Sequence, residues 1–343
     1  PVDEKLRIRK QTMEGPEAKG EKKRICIVTG THGDELEGQY VCYELGRRLK
    51  EQKEHLKGIV DIYPALNPLG VDSITRGIPM FDLDMNRIFP GNEDGPVPEY
   101  VASRIIEDIK GADLCIDIHA SNIFLREIPQ VRISEMTAKA LLPYAKKLNI
   151  DYVWIHGAAT VLEATLAHSL NMIGVPTLVV EMGVGMRITL EYGRQLADGI
   201  FCLMKELGIW DGDVIRPKKP IISTDGQVGF VNANHSGIFI PHVDHWESIR
   251  KGETIGEILN PLEGKVEENL YSPCDWWFCA AIKTRSPLST AVPLLPGCWE
   301  VNSIEKRSDL SAWQYIPGRS EDLRIPFWKR GEVCMHRRLH AGQ

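Results

Sequence analysis

The sequence has no long hydrophobic run. None of its 343 residues lies in an uninterrupted apolar stretch that approaches the roughly eighteen residues a membrane-spanning helix needs. Residues 1–5, Pro-Val-Asp-Glu-Lys, also lack the charged-then-apolar layout of a signal peptide. The net charge of −6 argues against a general affinity for nucleic acid. We therefore expect a cytoplasmic protein without a membrane or nucleic-acid partner.

Cysteine pairs with C-x-x-C spacing are also lacking. The eight cysteines are scattered along the chain, and several, including Cys26, Cys115 and Cys202, lie in apolar segments. This distribution is typical of reduced, buried thiols in a cytoplasmic protein. It does not indicate a disulfide framework.

The sequence does contain an alternation of apolar strands and amphipathic helices. Strand patterns begin at 25, 59, 114, 152 and 177, and helical patterns cover 36–54, 97–110, 137–148, 161–170 and 190–207. Such alternation predicts an α/β fold in which a mainly parallel sheet is flanked by helices on both sides.

Length and composition indicate more than one domain. A chain of 343 residues exceeds what one core usually supports, and 43% hydrophobic residues are enough to bury a sizeable interior. A linker rich in Pro and Lys at 211–220 ends the helical pattern. We therefore predict an N-terminal extension at 1–23, an α/β domain at 24–210, a β-rich domain at 211–285 and an irregular tail at 286–343.

The predicted β-rich domain has short strand patterns separated by turns. Its S-G pair at 236–237, K-G-E-x-I-G sequence at 251–256 and S-P turn at 272–273 resemble the lipoyl and biotinyl carrier domains, which implies a small all-β barrel-sandwich. Lys265 lacks the flanking residues of the modified lysine in those carriers, so cofactor attachment is not expected. His235, His242 and His245 could form a second metal site, but a polar loop is the favoured alternative. We expect this domain to border the active-site mouth or to support self-association.

The segment after the first strand carries a His and a Glu three residues apart. Apolar residues 25–28 are followed by Gly30, His32, Gly33 and Glu35, and a helical pattern then begins. Such corners at the carboxyl ends of parallel strands are where open α/β sheets bind ligands. Zinc in hydrolases commonly takes two His and one Glu and leaves one position for water. The alternative is an exposed loop with a polar cap on the following helix.

His119 is the candidate for the second histidine. The apolar strand from Leu114 ends at His119 and would deliver that side chain to the same edge of the sheet. Asp117 precedes it by two residues and so shares its face of the strand. This carboxylate could orient the imidazole or a neighbouring side chain. A structural pairing of Asp117 with a backbone group or a cation is the alternative.

Glu181 ends a third apolar strand. A carboxylate at the tip of residues 177–180 needs a partner or a chemical role, because burial of an unpaired charge is costly. Beside an activated water, Glu181 could accept a proton and return it to a departing nitrogen. We therefore predict that Glu181 is the general base.

A polar cluster at 81–91 has the character of an anion site. Arg87 offers a planar fork suited to a carboxylate, and Asn86 beside it can donate and accept hydrogen bonds. The two residues could therefore hold a substrate carboxylate next to the metal. Alternatively, Arg87 could form a structural ion pair with Asp82 or Asp84.

Taken together, these segments resemble the succinylglutamate desuccinylase and aspartoacylase family of zinc carboxypeptidase-like hydrolases. The resemblance extends over residues 24–210 and rests on four motifs in order: G-T-H-G-D-E at 30–35, D-M-N-R-I-F-P-G at 84–91, D-I-H-A at 117–120 and V-E-M-G at 180–183. It implies one zinc ion per chain held by His32, Glu35 and His119, Glu181 as the catalytic carboxylate, Asn86 and Arg87 as substrate-carboxylate contacts and Arg76 as a further cation at the site.

The resemblance implies a zinc-dependent deacylase that cleaves the amide bond of a small N-acyl amino acid. A metallo-carboxypeptidase acting on peptides or cell-wall peptides is the alternative, and a catalytically silent scaffold is the third possibility. The sequence leaves homo-oligomerisation, the acyl group and the amino acid open.

Overall fold

The computed structural model describes residues 7–15, 22–157, 163–224 and 229–273, together with strands at 277–279, 281–283, 286–287 and 292–296. All of these residues belong to the first of the two units into which the chain divides, residues 1–301. Apart from the strands at 286–287 and 292–296, the predicted irregular tail lies outside the described residues.

Six helices and seventeen strands make up the described part of the chain. The helices are α1 Glu37–Glu51, α2 Pro68–Ser73, α3 Val97–Ile109, α4 Ala138–Ala145, α5 Leu166–Met172 and α6 Leu190–Glu206, with short 3-10 turns at Lys53–His55 and Met85–Arg87. None of these described helices combines the length and the apolar character that crossing a membrane would require.

The first eight strands lie within residues 11–224. They are β1 Gln11–Glu14, β2 Arg24–Thr29, β3 Ile59–Tyr63, β4 Leu114–His119, β5 Leu125–Ser134, β6 Tyr152–His156, β7 Thr177–Gly183 and β8 Ile221–Thr224. The later strands are β9 Gly229–Val231, β10 Ile238–Pro241, β11 Ser248–Ile249, β12 Thr254–Asn260, β13 Lys265–Tyr271, β14 Trp277–Cys279, β15 Ala281–Lys283, β16 Ser286–Pro287 and β17 Val292–Pro296.

A large mixed sheet forms the centre of the fold. Its strand order is β1-β3-β2-β4-β7-β5-β6-β8, and β15 pairs in addition with β5. Strands β3, β2, β4 and β7 are parallel to one another, whereas β5 runs antiparallel to β7 and is followed by β6 and β8 parallel to it. The α/β class is thus confirmed. The sheet is mixed because β5, which the sequence patterns did not predict, reverses the direction, and because β1 at the edge runs antiparallel to β3.

Helices cover both faces of the sheet. Every residue of β4 is buried, as expected for a central parallel strand with helices on each side. One apolar core joins alternate strand residues to α1, α4 and α6, and the other joins the remaining strand residues to α3 and α5. The alternation of strand side chains between two helical layers fixes the register. It also brings the carboxyl ends of β2, β4 and β7 to one edge.

The later strands are all antiparallel, in agreement with the predicted all-β character. They form two four-stranded sheets, β13-β12-β10-β16 and β11-β14-β17-β9. Phe239, Ile249, Ile255, Ile258 and Leu270 make a small core of their own. Two strands beyond residue 210, β8 and β15, nevertheless lie in the large sheet. The barrel-sandwich closure and the domain boundaries stay predictions.

Candidate metal centre

The corner between β2 and α1 carries His32 and Glu35. β2 ends at Thr29, and Gly30 follows with a φ of +68°, in the left-handed region. A Cβ atom at Gly30 would lie 2.8 Å from the backbone of Ala65, so this turn requires glycine. His32 and Glu35 are each only 3% exposed. The tight turn thus holds both side chains inside the carboxyl edge of the sheet.

His119 joins these two residues from the neighbouring strand β4. One oxygen of Glu35 lies 2.7 Å from Nδ1 of His32, and the other lies 3.0 Å from Nδ1 of His119. One potential metal-ligand atom from each of the three side chains lies within 4.8 Å of those of the other two. Two imidazole nitrogens and one carboxylate are a ligand set that zinc takes in hydrolases. The three residues therefore fit such an ion.

Three carboxylates surround the two imidazoles. Burial lowers the pKa of His32, but hydrogen bonds to Asp84 and Glu35 raise it overall. Burial also opposes protonation of His119, but Asp117 and Glu35 hold its pKa well above the usual value. Burial raises the pKa of Glu35, yet the two imidazoles lower it to about 2. Negative charge that attracts protons so strongly would equally attract a divalent cation, and binding would release protons.

Asp117 lies beside His119, as predicted. It is fully buried, and its Oδ1 is 3.1 Å from Nε2 of His119. The angle falls outside hydrogen-bonding geometry, so neither oxygen of Asp117 has a hydrogen-bond partner. Because an unpaired buried carboxylate is costly, a small rotation of the imidazole toward it would be favourable. Such a contact leaves Nδ1 as the ligand atom. This orienting role stays a prediction.

Arg76 reaches the same cluster from the loop after α2. Its guanidinium donates to Oε1 of Glu35 at 3.0 Å and to Oδ2 of Asp84 at 3.5 Å. Asp84 in turn lies 3.0 Å from Nε2 of His32 and accepts a hydrogen bond from the backbone of Asn86. Burial raises the pKa of Asp84, but His32 and the nearby arginines hold it far below its usual range. Arg76 thus contacts the cluster, and its role as a further cation at the site stays a prediction.

Asn86 and Arg87 lie one turn further along. Asn86 is buried, and its Oδ1 accepts a hydrogen bond from the backbone nitrogen of Leu166 at 2.9 Å. Its oxygen therefore supports the first turn of α5. Arg87 is exposed and donates to the backbone oxygen of Asn86. Within the described residues Arg87 forms no ion pair, so the alternative pairing with Asp82 or Asp84 is not observed.

Glu181 lies across the strand pair from His119, because the two residues are register partners between β7 and β4. Burial raises the pKa of Glu181 to about 7, with Glu127 adding to the rise and Arg132 opposing it. A carboxyl group with a pKa near neutrality can both accept and return a proton at physiological pH. The arrangement suits the predicted general base.

The sequence patterns did not predict two charged residues that lie beside Glu181. Glu127 and Arg132 lie on β5, next to β7, and their side chains pair with each other. Pro129 and the charged residues around it obscure the alternation that marks a strand. The largely buried carboxylate of Glu181 required a partner. The sequence could therefore have predicted that a cation would be present, but not which strand would supply it.

The three histidines of the later strands do not come together. Their nearest acidic or phenolic partners differ: Glu268 for His235, Glu257 for His242 and Tyr192 for His245. Among the described residues, His32, Glu35 and His119 are the only group of three or more potential ligands close enough to hold one metal ion. A second metal site is therefore not supported in this part of the chain.

The sheet places a buried cluster of two histidines and one glutamate, which could hold a metal ion, at the carboxyl edge of parallel strands. Residues 21–207, more than half of the chain, match the model of the succinylglutamate desuccinylase/aspartoacylase catalytic domain. The chain therefore belongs to this family of acyl-amino-acid deacylases, and the resemblance that the four motifs carry is confirmed.

Similar proteins agree with this assignment. The N-alpha-acetyl-L-2,4-diaminobutyric acid deacetylase of Halomonas elongata is 26% identical over 267 residues, which are 73% of this chain and 77% of the relative. The product-bound ectoine utilization protein of Ruegeria pomeroyi superposes with a TM-score of 0.70 at 20% identity and covers 84% of this chain and 89% of that one. The succinylglutamate desuccinylase/aspartoacylase of Rhodobacter sphaeroides has a TM-score of 0.68 at 24% identity, with 85% and 90% covered. The solved structures share the fold.

Proposed function

We propose that this protein is a zinc-dependent deacylase that hydrolyses the amide bond of a small N-acyl amino acid. The observation that carries the proposal is the convergence of His32, Glu35 and His119 within 4.8 Å, with Glu181 as the register partner of His119. His32, Glu35 and His119 would hold one zinc ion per chain. We further propose that the enzyme acts in the cytoplasm.

Zinc, when bound, supplies the Lewis acidity that lowers the pKa of water and polarises a carbonyl oxygen. Glu181 accepts the proton of the attacking water and then donates it to the departing amide nitrogen. Its side chain is only 16% exposed, which limits the competition of bulk water for that proton. Asp84 and Asp117 face Nε2 of the two imidazoles and would fix the rings in the orientation that leaves Nδ1 as the ligand atom.

We assign the binding of the substrate carboxylate to Arg87. This guanidinium is exposed, has no ion-pair partner in the described region and lies close to Asp84 of the cluster. A planar fork can hold a carboxylate by two hydrogen bonds, which would place the amide carbon near the attacking water. Arg76 would stabilise negative charge that develops on the carbonyl oxygen. Asn86 would contact the same carboxylate through its amide nitrogen, because its oxygen is engaged by the start of α5.

The Halomonas elongata relative is a deacetylase of an N-acetyl amino acid, which favours a small substrate of this class for the present chain. No contact in the described structure favours the carboxypeptidase alternative. It therefore serves as the competing outcome in the substrate test.

The test combines a substrate panel with removal of the metal. Purified protein is assayed on N-acetyl and N-succinyl amino acids beside short peptides, with and without a chelator, and zinc is measured by elemental analysis. We expect one zinc per chain, activity on an N-acyl amino acid, and loss of activity with the chelator. His119→Ala should lose zinc, whereas His235→Ala, a change at an exposed histidine outside the cluster, should keep it. Zinc-free active enzyme, or activity on peptides alone, would contradict the proposal.

A further inference from the structure

A line of polar side chains on β5 leads to the carboxylate of Glu181. Gln130 donates to Oε1 of Glu127 at 3.1 Å, and Arg132 donates to the same oxygen at 2.5 Å. The other terminal nitrogen of Arg132 lies 3.4 Å from Oε1 of Glu181. Glu127 is only 3% exposed. One guanidinium therefore bridges two carboxylates from neighbouring strands.

The register of the strands explains how Arg132 reaches both carboxylates. β5 pairs with β7 so that Gln130 faces Glu181 and Arg132 faces Val179, with an irregularity between Glu127 and Gln130. Such a bulge re-aims side chains without ending the strand pair. The long side chain of Arg132 can then extend along the strands from the level of Val179 to that of Glu181.

Trp154 restrains the guanidinium from the other side. It is the register partner of Arg132 on β6, and its ring centroid lies 5.7 Å from the guanidinium carbon. A cation over an indole face is attracted by the ring. Arg132 is thus held by Glu127 on one strand and by Trp154 on another, and little of its freedom remains.

The two contacts of Arg132 are unequal. The contact with Glu127 is short and the contact with Glu181 is long, and Oε2 of buried Glu127 has no hydrogen-bond partner. A charge-assisted hydrogen bond weakens as it lengthens. Glu127 therefore anchors the cation, while Glu181 is guided by it but keeps an oxygen available for a proton.

We propose that Arg132 is a positioning residue that holds the carboxylate of Glu181 in its working orientation, and that Glu127 anchors Arg132 for this purpose. The inference rests on the proposed role of Glu181 as the general base. It assigns a function in catalysis to a strand whose side chains do not themselves reach the metal ligands.

The decisive variant is Arg132→Ala, compared with the unchanged protein by kcat, KM, zinc content and melting temperature. A displaced base lowers turnover more than binding, so we expect kcat to fall about tenfold to a hundredfold, with KM changed by about twofold at most. Zinc content should stay the same. A kcat equal to that of the unchanged protein, a rise in KM alone, or a loss of activity matched by a loss of zinc would each overturn the inference.

Chemical rescue separates positioning from general damage. Millimolar guanidinium should restore part of kcat in Arg132→Ala, because the ion can occupy the space of the missing side chain. It should have no effect on Arg104→Ala, a matched change at an exposed arginine on α3 whose partner Glu93 is 3.6 Å away. Equal effects of guanidinium on both variants would overturn the inference.

Two further variants keep the test decisive. Glu127→Gln retains Arg132 but removes the charge that anchors it, so kcat should fall by a smaller factor than in Arg132→Ala. An unchanged kcat in a folded Glu127→Gln protein would overturn the anchoring role. This result can be obtained even if Arg132→Ala does not fold. Glu181→Gln separates this inference from the proposed function. If Glu181→Gln keeps full turnover, the base assignment fails; if it is inactive while Arg132→Ala is normal, only the positioning role fails.

Discussion

Two buried carboxylates, one within the large sheet and one in the loop at its carboxyl edge, have contrasting partners. Asp61, in the middle of β3, accepts a hydrogen bond of 2.5 Å from Thr12 and lies 3.7 Å from both Lys10 and Arg24. Glu35 is bridged by two imidazoles, whose charge depends on whether they hold protons, in addition to its contact with Arg76. The first arrangement is permanently neutralised. The second can exchange its protons for a metal ion.

The partners of a buried charge indicate whether that charge contributes to folding or to catalysis. Ion pairs with lysine or arginine keep one state over the whole physiological pH range. Imidazoles beside carboxylates, and a carboxylate held only loosely by an arginine, can change state during a reaction. The cluster around Asp61 should therefore affect stability alone, and the cluster around Glu35 and Glu181 should affect activity.

The strongest test is Glu181→Gln. The amide has nearly the same shape but cannot accept a proton from water, so we expect kcat to fall by about 10² to 10⁴. Zinc content should not change, since Glu181 is not one of the proposed ligands. Stopped-time assays with elemental analysis measure both quantities. Near-normal turnover with zinc bound would remove Glu181 from the chemistry.

Arg87→Met tests the proposed carboxylate contact. Loss of a charge-assisted contact to the substrate should raise KM by about one to two orders of magnitude while kcat changes less. Arg104→Met is the matched control at an exposed arginine away from the cluster. An unchanged KM for N-acyl amino acids would show that Arg87 does not hold their carboxylate.

The pH profile tests the state of Glu181. Its pKa is raised to about 7, and a cation held nearby would shift it downward because it favours the carboxylate. Only the ionised form can act as a base. We therefore expect kcat/KM to decline by about tenfold per pH unit on the acidic side of a midpoint at or below that value. A profile that is flat through the acidic range while zinc remains bound would contradict this assignment.

Asp61→Asn should give the smallest effect on activity. Removing the charge from a buried, hydrogen-bonded carboxylate should lower the free energy of unfolding by about 1–3 kcal/mol. Urea unfolding would measure this loss, and kcat and zinc content should match those of the unchanged protein. A selective loss of kcat would contradict the expectation that the cluster around Asp61 affects stability alone.

Much of the α/β part was predictable because the apolar spacing that defines each helix or strand lies within that element's own sequence. The predicted strand at 59–63 coincides with β3, and the predicted helices at 97–110 and 190–207 differ from α3 and α6 by one residue at the C-terminal end. Apolar spacing determines these elements, since each buries one face. The proximity of His32, Glu35 and His119 was predictable because each residue ends or follows a strand whose carboxyl end reaches the same edge.

Other features depend on contacts that are distant in sequence. The helix predicted at 137–148 ends at Ala145, and Pro143 lies inside it. The helix predicted from 161 begins at Leu166, where the side chain of Thr165 caps it by accepting from the backbone of His168; residues 158–162 lie outside the described residues. Strand β5 was missed altogether, and with it the pair Glu127 and Arg132. Burial of those charges becomes favourable only when β7 and β6 lie beside them.

The pairing of β15 with β5 has a consequence for how the enzyme can be divided. Ala281 is the register partner of Glu127, so the main chain of a late strand adjoins the anchor of Arg132. A version ending at residue 210 would leave that flank of β5 unpaired, and open sheet edges readily recruit other chains. Insertions or deletions in the late strands would therefore alter the backbone hydrogen bonds of β5 and, through them, the position of Glu181, the proposed general base.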